Sequence, residues 1–147
     1  MASSPGAPAL VVVGCSARKS RSLRPVAALD LYQGWCVPPL RARLAERGDL
    51  RRRTLILSAR HGLLKAEDPV LPYDQPLTPE RAAALQSAVR AQLAEHLQAF
   101  PASEALLLLE PAYLALLGHP PVPMVHTVTD PVRHWAAVDS VLDAWGW

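Results

Sequence analysis

A chain of 147 residues is the size of one ordinary domain, in which about 70% of the unfolded chain's surface can be buried. Half of the residues are apolar and 19% are charged, which excludes a disordered protein, and the longest apolar runs, Ala9–Val13 and Ala105–Leu109, are too short to span a bilayer. The net charge of +2 is small but uneven: Arg18, Lys19, Arg21 and Arg24 cluster early, and Arg51, Arg52 and Arg53 read as a solvated turn.

In chain order, Met1–Pro8 reads as a disordered low-complexity tail, with neither the basic region nor the hydrophobic stretch of a signal peptide, and 9–147 as a single domain. A cytoplasmic protein without a membrane partner is expected, and two cysteines, Cys15 and Cys36, are too few for a disulfide scaffold or a structural zinc site. Ala9–Val13 is a continuous apolar run ended by Gly14, the pattern of a strand covered on both faces. Pro38-Pro39 followed by Leu40 and Leu44 predicts a helix over 38–47, with Gly48 as a left-handed stop. Thr54–Leu57 is a second strand, and Ser58–Gly62 a polar loop at its carboxyl end. Thr78-Pro79-Glu80 opens a helix over 79–99, on which Leu85, Val89, Leu93 and Leu97 recur every four residues. Leu106–Leu109 is a third strand, Ala112–Leu117 a short helix, Met124–Val128 a fourth strand and Pro131–Trp145 a closing helix. This alternation predicts an α/β fold in three layers: a short, mostly parallel central sheet flanked by helices, with ligands bound outside the carboxyl ends of the strands.

Two loops at that edge carry the chemistry. In Gly14-Cys15-Ser16-Ala17-Arg18-Lys19-Ser20, Cys15 is either a nucleophile activated by nearby cations or a small hydrophobe ending a core strand, and Ser16 can donate to an anion. The spacing Gly14-x4-Lys19-Ser20 lacks the second glycine of a phosphate-binding P-loop. Cys15-x5-Arg21 has the spacing of a cysteine phosphatase loop, with Asp130 as its acid, but no glycine between to form the cradle. The second loop runs from Ser58 through Arg60, His61 and Gly62 to Tyr73 and Asp74. Arg60 and His61 can hold an anion or protonate a leaving group, Tyr73 can stack on a planar ring, and Asp74 can orient water or cap a turn. Tyr32 and Trp35 frame this region or pack beneath it, and Glu110, ending the third strand, is a candidate carboxylate or a helix cap. His126 and His134 read as structural, and His96 and His119 as surface positions; no spacing supports a metal site, and no cofactor is implied. Trp145 and Trp147 predict apolar surface at the chain end, leaving a monomer or a homodimer open.

The chain resembles the YaaA-like superfamily at Cys15-Ser16-x-x-Lys19, Asp30-Leu31-Tyr32-x-Gly34, and Leu57-Ser58-Ala59-Arg60-His61-Gly62-Leu63-Leu64 continuing to Pro72-Tyr73-Asp74. The resemblance covers roughly residues 10–77; from Thr78 onward it extends to the order of elements alone. It implies a fold similar to uracil-DNA glycosylases, with a nucleobase-sized cleft at the strand ends. It also implies a nucleotide or nucleic-acid theme, as in the catalytic domain of archaeosine synthase, where a proline stands in place of Gly14. The expected function is an enzyme acting on a nucleotide, nucleoside or nucleobase derivative, by N-glycosidic bond cleavage or base exchange. Cys15, His61, Asp74 and Glu110 are then the candidate catalytic residues, and Gly14, Ser16, Lys19, Tyr32, Ser58, Arg60, Gly62 and Tyr73 the candidate binding residues. The alternatives are covalent chemistry at Cys15 on a modified base, and a non-catalytic nucleic-acid or nucleotide-binding stress protein.

Overall fold

The two-residue period of apolar side chains along the central strands decides the layering. In the computed structural model, which describes residues 8–147, Ala9, Val11 and Val13 of β1 (Ala9–Gly14) face one core, and Leu10 and Val12 face another. Both faces of β1 are covered, so its sequence is apolar without a break. The same division holds in β3 (Thr54–Ser58), with Ile56 on one side and Leu55 and Leu57 on the other, and in β6 (Glu104–Leu108).

Five strands form the main sheet, in the order β4 (Gly62–Lys65), β3, β1, β6, β7 (Met124–Thr127). β1 runs parallel to both β3 and β6, β7 runs parallel to β6, and β4 folds back antiparallel on β3. The first core is closed by α1 (Ala28–Leu31), α2 (Val37–Arg43), α3 (Gly48–Arg51) and α6 (Trp135–Trp145). The second lies under α4 (Pro79–Ala99) and α5 (Pro111–Leu117). The fold is therefore the expected α/β type, with a mostly parallel five-stranded sheet between helical layers. A separate two-stranded ribbon pairs β2 (Val26–Ala27) with β5 (Pro69–Val70) and ties the first loop to the second.

α4 starts and ends where its sequence predicts. Thr78 Oγ1 accepts from the Arg81 amide at 3.1 Å, and Pro79 occupies the first turn, where a missing N–H costs nothing. Its buried stripe is Val89, Leu93 and His96, an i, i+4, i+7 set, so His96 is a core residue stacked on Phe100 and not the surface position expected.

Other expectations are corrected as well. The helix after Pro38 begins at Val37 and ends at Arg43; Glu46, with φ 60°, makes the left-handed turn, and Gly48 starts α3 instead of stopping α2. Arg51 is no solvated turn residue: it pairs with Glu67 and, at 3.7 Å, with Asp30, while Arg53 lies over the Phe100 ring. Trp145 and Trp147 are buried against each other and the first core, which removes the apolar surface that left a dimer contact open. His126 is held in β7 by Glu104 at 2.9 Å, as a structural histidine, and His134 is exposed at the N-cap of α6. The tail expected at Met1–Pro8 falls, apart from Pro8, outside the described residues. Among the described residues no helix is long and apolar enough to cross a membrane.

The antiparallel edge at β4 is sealed by side chains. Gln92 Oε1 accepts from the Leu63 amide at 2.9 Å, and Asp68 Oδ2 from the Lys65 amide at 2.8 Å, so two outward N–H groups are unavailable to another strand. Gly62 makes this possible: its φ is +74°, and a Cβ there would stand 2.7 Å from Gln92 Oε1.

Candidate functional site

Strand order sets the position of the site. From β1 the sheet grows outward to β3 on one side and to β6 and β7 on the other, so the connections leave in opposite directions at the carboxyl ends of β1 and β6, the position at which open α/β sheets form a binding crevice. Cys15 follows β1 directly, and Tyr113 lies in the first turn of α5, just past β6; Cys15 Sγ and Tyr113 Oη are 3.3 Å apart across that crevice.

Three phenols gather around the half-buried thiol. Tyr73 Oη is 2.5 Å from Tyr32 Oη and 2.5 Å from Ser58 Oγ. Ser58 Oγ accepts the Arg60 and His61 amides, both at 3.1 Å, which occupies its lone pairs; its own proton therefore goes to Tyr73. Burial, then the nearby Cys15, push the Tyr73 hydroxyl up to about 12. Tyr113 is raised by burial and then by Cys15, and Tyr32 by burial and then by its bond to Tyr73. All three phenols are protonated near neutral pH, and the half-buried Tyr73 and Tyr113 offer hydroxyls to a group that develops negative charge beside the sulfur.

The remaining candidates are distributed around this cluster. Lys19 Nζ stands over the Tyr73 ring at 4.4 Å and the Tyr32 ring at 5.8 Å, and its backbone is bridged to Tyr32. His61 meets the Tyr73 ring edge-on at 5.1 Å, and burial, followed by the positive charges of Arg60 and Arg81, holds its imidazole below the usual histidine range. Arg60, Asp74 and Glu110 are exposed. Asp74 makes no hydrogen bond or ion pair among the described residues, and Glu110 holds the N-cap position of α5 without a side-chain cap bond. Tyr32 is completely buried beneath Tyr73, so it supports the site from below and cannot stack on a ligand as it stands.

Four residues are structural supports. Ser16 Oγ donates to the Arg18 carbonyl at 2.6 Å and accepts the Gly34 amide at 3.1 Å; a Cβ at Gly34 would lie 3.2 Å from that of Ser16, which accounts for the glycine of the Tyr32-x-Gly34 motif. Trp35 takes a left-handed φ of 59°, a strain of about 1–2 kcal/mol, offset in part by its indole N–H bonding the Leu108 carbonyl at 3.2 Å. Gly14 packs below that indole. The segment after Cys15 does not curl into a phosphatase cradle, because the Ser20 amide is already bonded to the Leu31 carbonyl at 2.7 Å and the Arg18 carbonyl to the Gln33 amide.

Tyr113 is the site residue that sequence reasoning missed. Its signal is its position: it sits in the first turn of the helix that begins immediately after a buried strand, at the same edge as Cys15. A hollow of about 390 Å³ opens beside the cluster, lined by Arg60, His61, Val70, Leu71, Pro72 and Tyr73. Among the described residues no group of three or more His, Cys, Asp or Glu side chains is arranged to hold a metal ion.

Residues 10–139 match the model of a family of unknown function, DUF6884. No curated protein and no solved structure matches the chain.

Proposed function

We propose that this chain, which belongs to the DUF6884 family, is an enzyme acting on a nucleotide, nucleoside or nucleobase derivative, and that it cleaves or exchanges an N-glycosidic bond. The observation that carries this reading is the convergence of Cys15, Tyr73 and Tyr113 with Lys19 and His61 at the switch point of the sheet, beside a hollow within the size range of small-molecule sites. The reading takes its substrate class from the YaaA-like motifs around those residues, and with them a uracil-DNA-glycosylase-like arrangement of the sheet.

In this mechanism the sugar approaches an oxocarbenium ion while the base leaves with the bonding electrons. Protonated phenols and Lys19 stabilise the charge gathering on the base, and neutral His61 takes the proton of the attacking water and then, as imidazolium, returns it to the departed base. Asp74 or Glu110, the exposed carboxylates at the same edge, faces the developing positive charge on the sugar. Tyr73 and the aliphatic wall of Leu71 and Pro72 hold the base plane.

A second reading is favoured by the placement of Cys15 next to Tyr113. Here Cys15 Sγ bonds to an electrophilic carbon of a modified base or nitrile, the π pair moves to nitrogen, and the thiol proton follows it through the Tyr113 hydroxyl. One experiment separates the two: incubation with a panel of nucleosides, nucleotides and modified bases, read by mass spectrometry beside Cys15→Ala and Asp74→Ala. Free base that disappears in Asp74→Ala and persists in Cys15→Ala supports glycosidic chemistry, a base-sized adduct on Cys15 supports the covalent route, and neither across the panel overturns both.

A further inference from the structure

Positive and negative side chains nearly balance over the chain, 15 against 13, but not over its surface. From Ala17 to Pro25 there are four cations, Arg18, Lys19, Arg21 and Arg24, and no carboxylate. Three arginines elsewhere find acids: Arg43 pairs with Asp139 and Asp143, Arg47 with Asp49, and Arg51 with Asp30 and Glu67. None of the four has an ion pair among the described residues, and Arg18, Arg21 and Arg24 are exposed. Between them Leu23 stands entirely in solvent.

The segment is fixed by its backbone and not by its charges. The Ser20 amide is bonded to Leu31, the Arg18 carbonyl accepts from Ser16 and Gln33, and Ser22 Oγ donates to the Arg24 carbonyl at 2.6 Å. It leads from Cys15 to β2, whose partner β5 runs straight into the Leu71–Tyr73 wall of the hollow. Arg60 and His61 are exposed on that wall as well. Fixed cations without neighbouring acids suit a row of phosphates, and an apolar side chain among them suits the face of a base.

We infer that residues 17–25 grip the phosphates of a nucleic-acid strand, with Leu23 packed against a base, so that the site acts on a nucleotide held within a polymer. The substrate half of this inference rests on the nucleobase reading of the site. A lone leucine gives an anionic bilayer little to hold, whereas the adjoining ring of Tyr73 and its hollow give an unstacked base a place to go.

The test is the anisotropy of a fluorescein-labelled single-stranded oligonucleotide as salt rises from 50 to 200 mM. Four phosphate contacts weaken binding about 50-fold over that range, and the Arg18→Ala/Arg21→Ala/Arg24→Ala variant, keeping Lys19, weakens only about threefold. Leu23→Ala lowers affinity and leaves the salt dependence as in the wild type. Thermal melts of the variants at the wild-type temperature keep the comparison on the surface. No binding at 50 mM, a salt dependence that the triple variant retains, or a preference for phosphatidylserine vesicles over the oligonucleotide would overturn the inference. Oligonucleotide binding as described without base release or adduct sinks the chemical reading and leaves this surface standing. Base release from free nucleosides by a protein that ignores oligonucleotides does the reverse.

Discussion

At the scale of single residues, Tyr73 is the side chain on which the site depends. Its hydroxyl satisfies two buried partners, so Tyr73→Phe strands the Tyr32 and Ser58 hydroxyls together. A loss of about 1–3 kcal/mol in unfolding free energy is expected, read from urea midpoints, with a larger proportional loss of any turnover. His96 gives a pH dependence whose sign follows from its burial. Burial, then Lys65 and Arg53, lower its folded pKa beneath the unfolded value of 6.5, so the unfolded chain binds the proton more readily. Its contribution is complete above 6.5 and is lost as pH falls from there through the lower folded value, at no more than about 1.4 kcal/mol per pH unit. Urea midpoints across that window should fall for the wild type and fall less for His96→Gln, though His61, lowered for similar reasons, keeps part of the slope.

At the scale of elements, Arg43 on α2 fastens the last helix. It bonds Asp139 at 2.8 Å, Asp143, and the carbonyl of Trp147 at 3.0 Å, all on or just past α6. The carboxylates are partly exposed, so each pair contributes only a few tenths of a kcal/mol to about 1, and Arg43→Ala is expected to cost about 1–2 kcal/mol in total. Trp147→Ala removes a buried indole from the same corner and should cost more, about 3–5 kcal/mol, visible as a larger drop in melting temperature. The sealed edge of β4 makes a different prediction. Gln92→Ala with Asp68→Ala frees the Leu63 and Lys65 amides, so hydrogen exchange at those two positions should accelerate and the protein should self-associate at high concentration. Unchanged exchange would mean that the two side chains do not protect that edge.

At the scale of the whole molecule, what could be read from the sequence followed burial. β1, β3 and β6 are covered on both faces and show as uninterrupted apolar runs, and α4 announces itself through Thr78, Pro79 and its four-residue spacing. The ribbon of β2 and β5 is two residues long on each side, too short for any periodicity, and β4 hides inside a run that looks like loop because its turn consists of Ala59, Arg60 and His61. The loops that carry the candidate site stand out by position and residue type. Their partners do not: Tyr73 reaches Tyr32 from 41 residues away, and Tyr113 reaches Cys15 from 98, and no local pattern specifies such pairs.

That last separation has a meaning for the chain as it is made. Cys15 leaves the ribosome 98 residues ahead of the hydroxyl that covers it, on the order of 5–20 s of translation. Through that interval the thiol lacks its Tyr113 partner and the crevice lacks one wall. Nascent chains arrested before Tyr113 should therefore react with maleimide at Cys15 faster than chains arrested well beyond it. A chain broken off between the two residues carries an open sulfur where the longer chain carries the Cys15–Tyr113 pair.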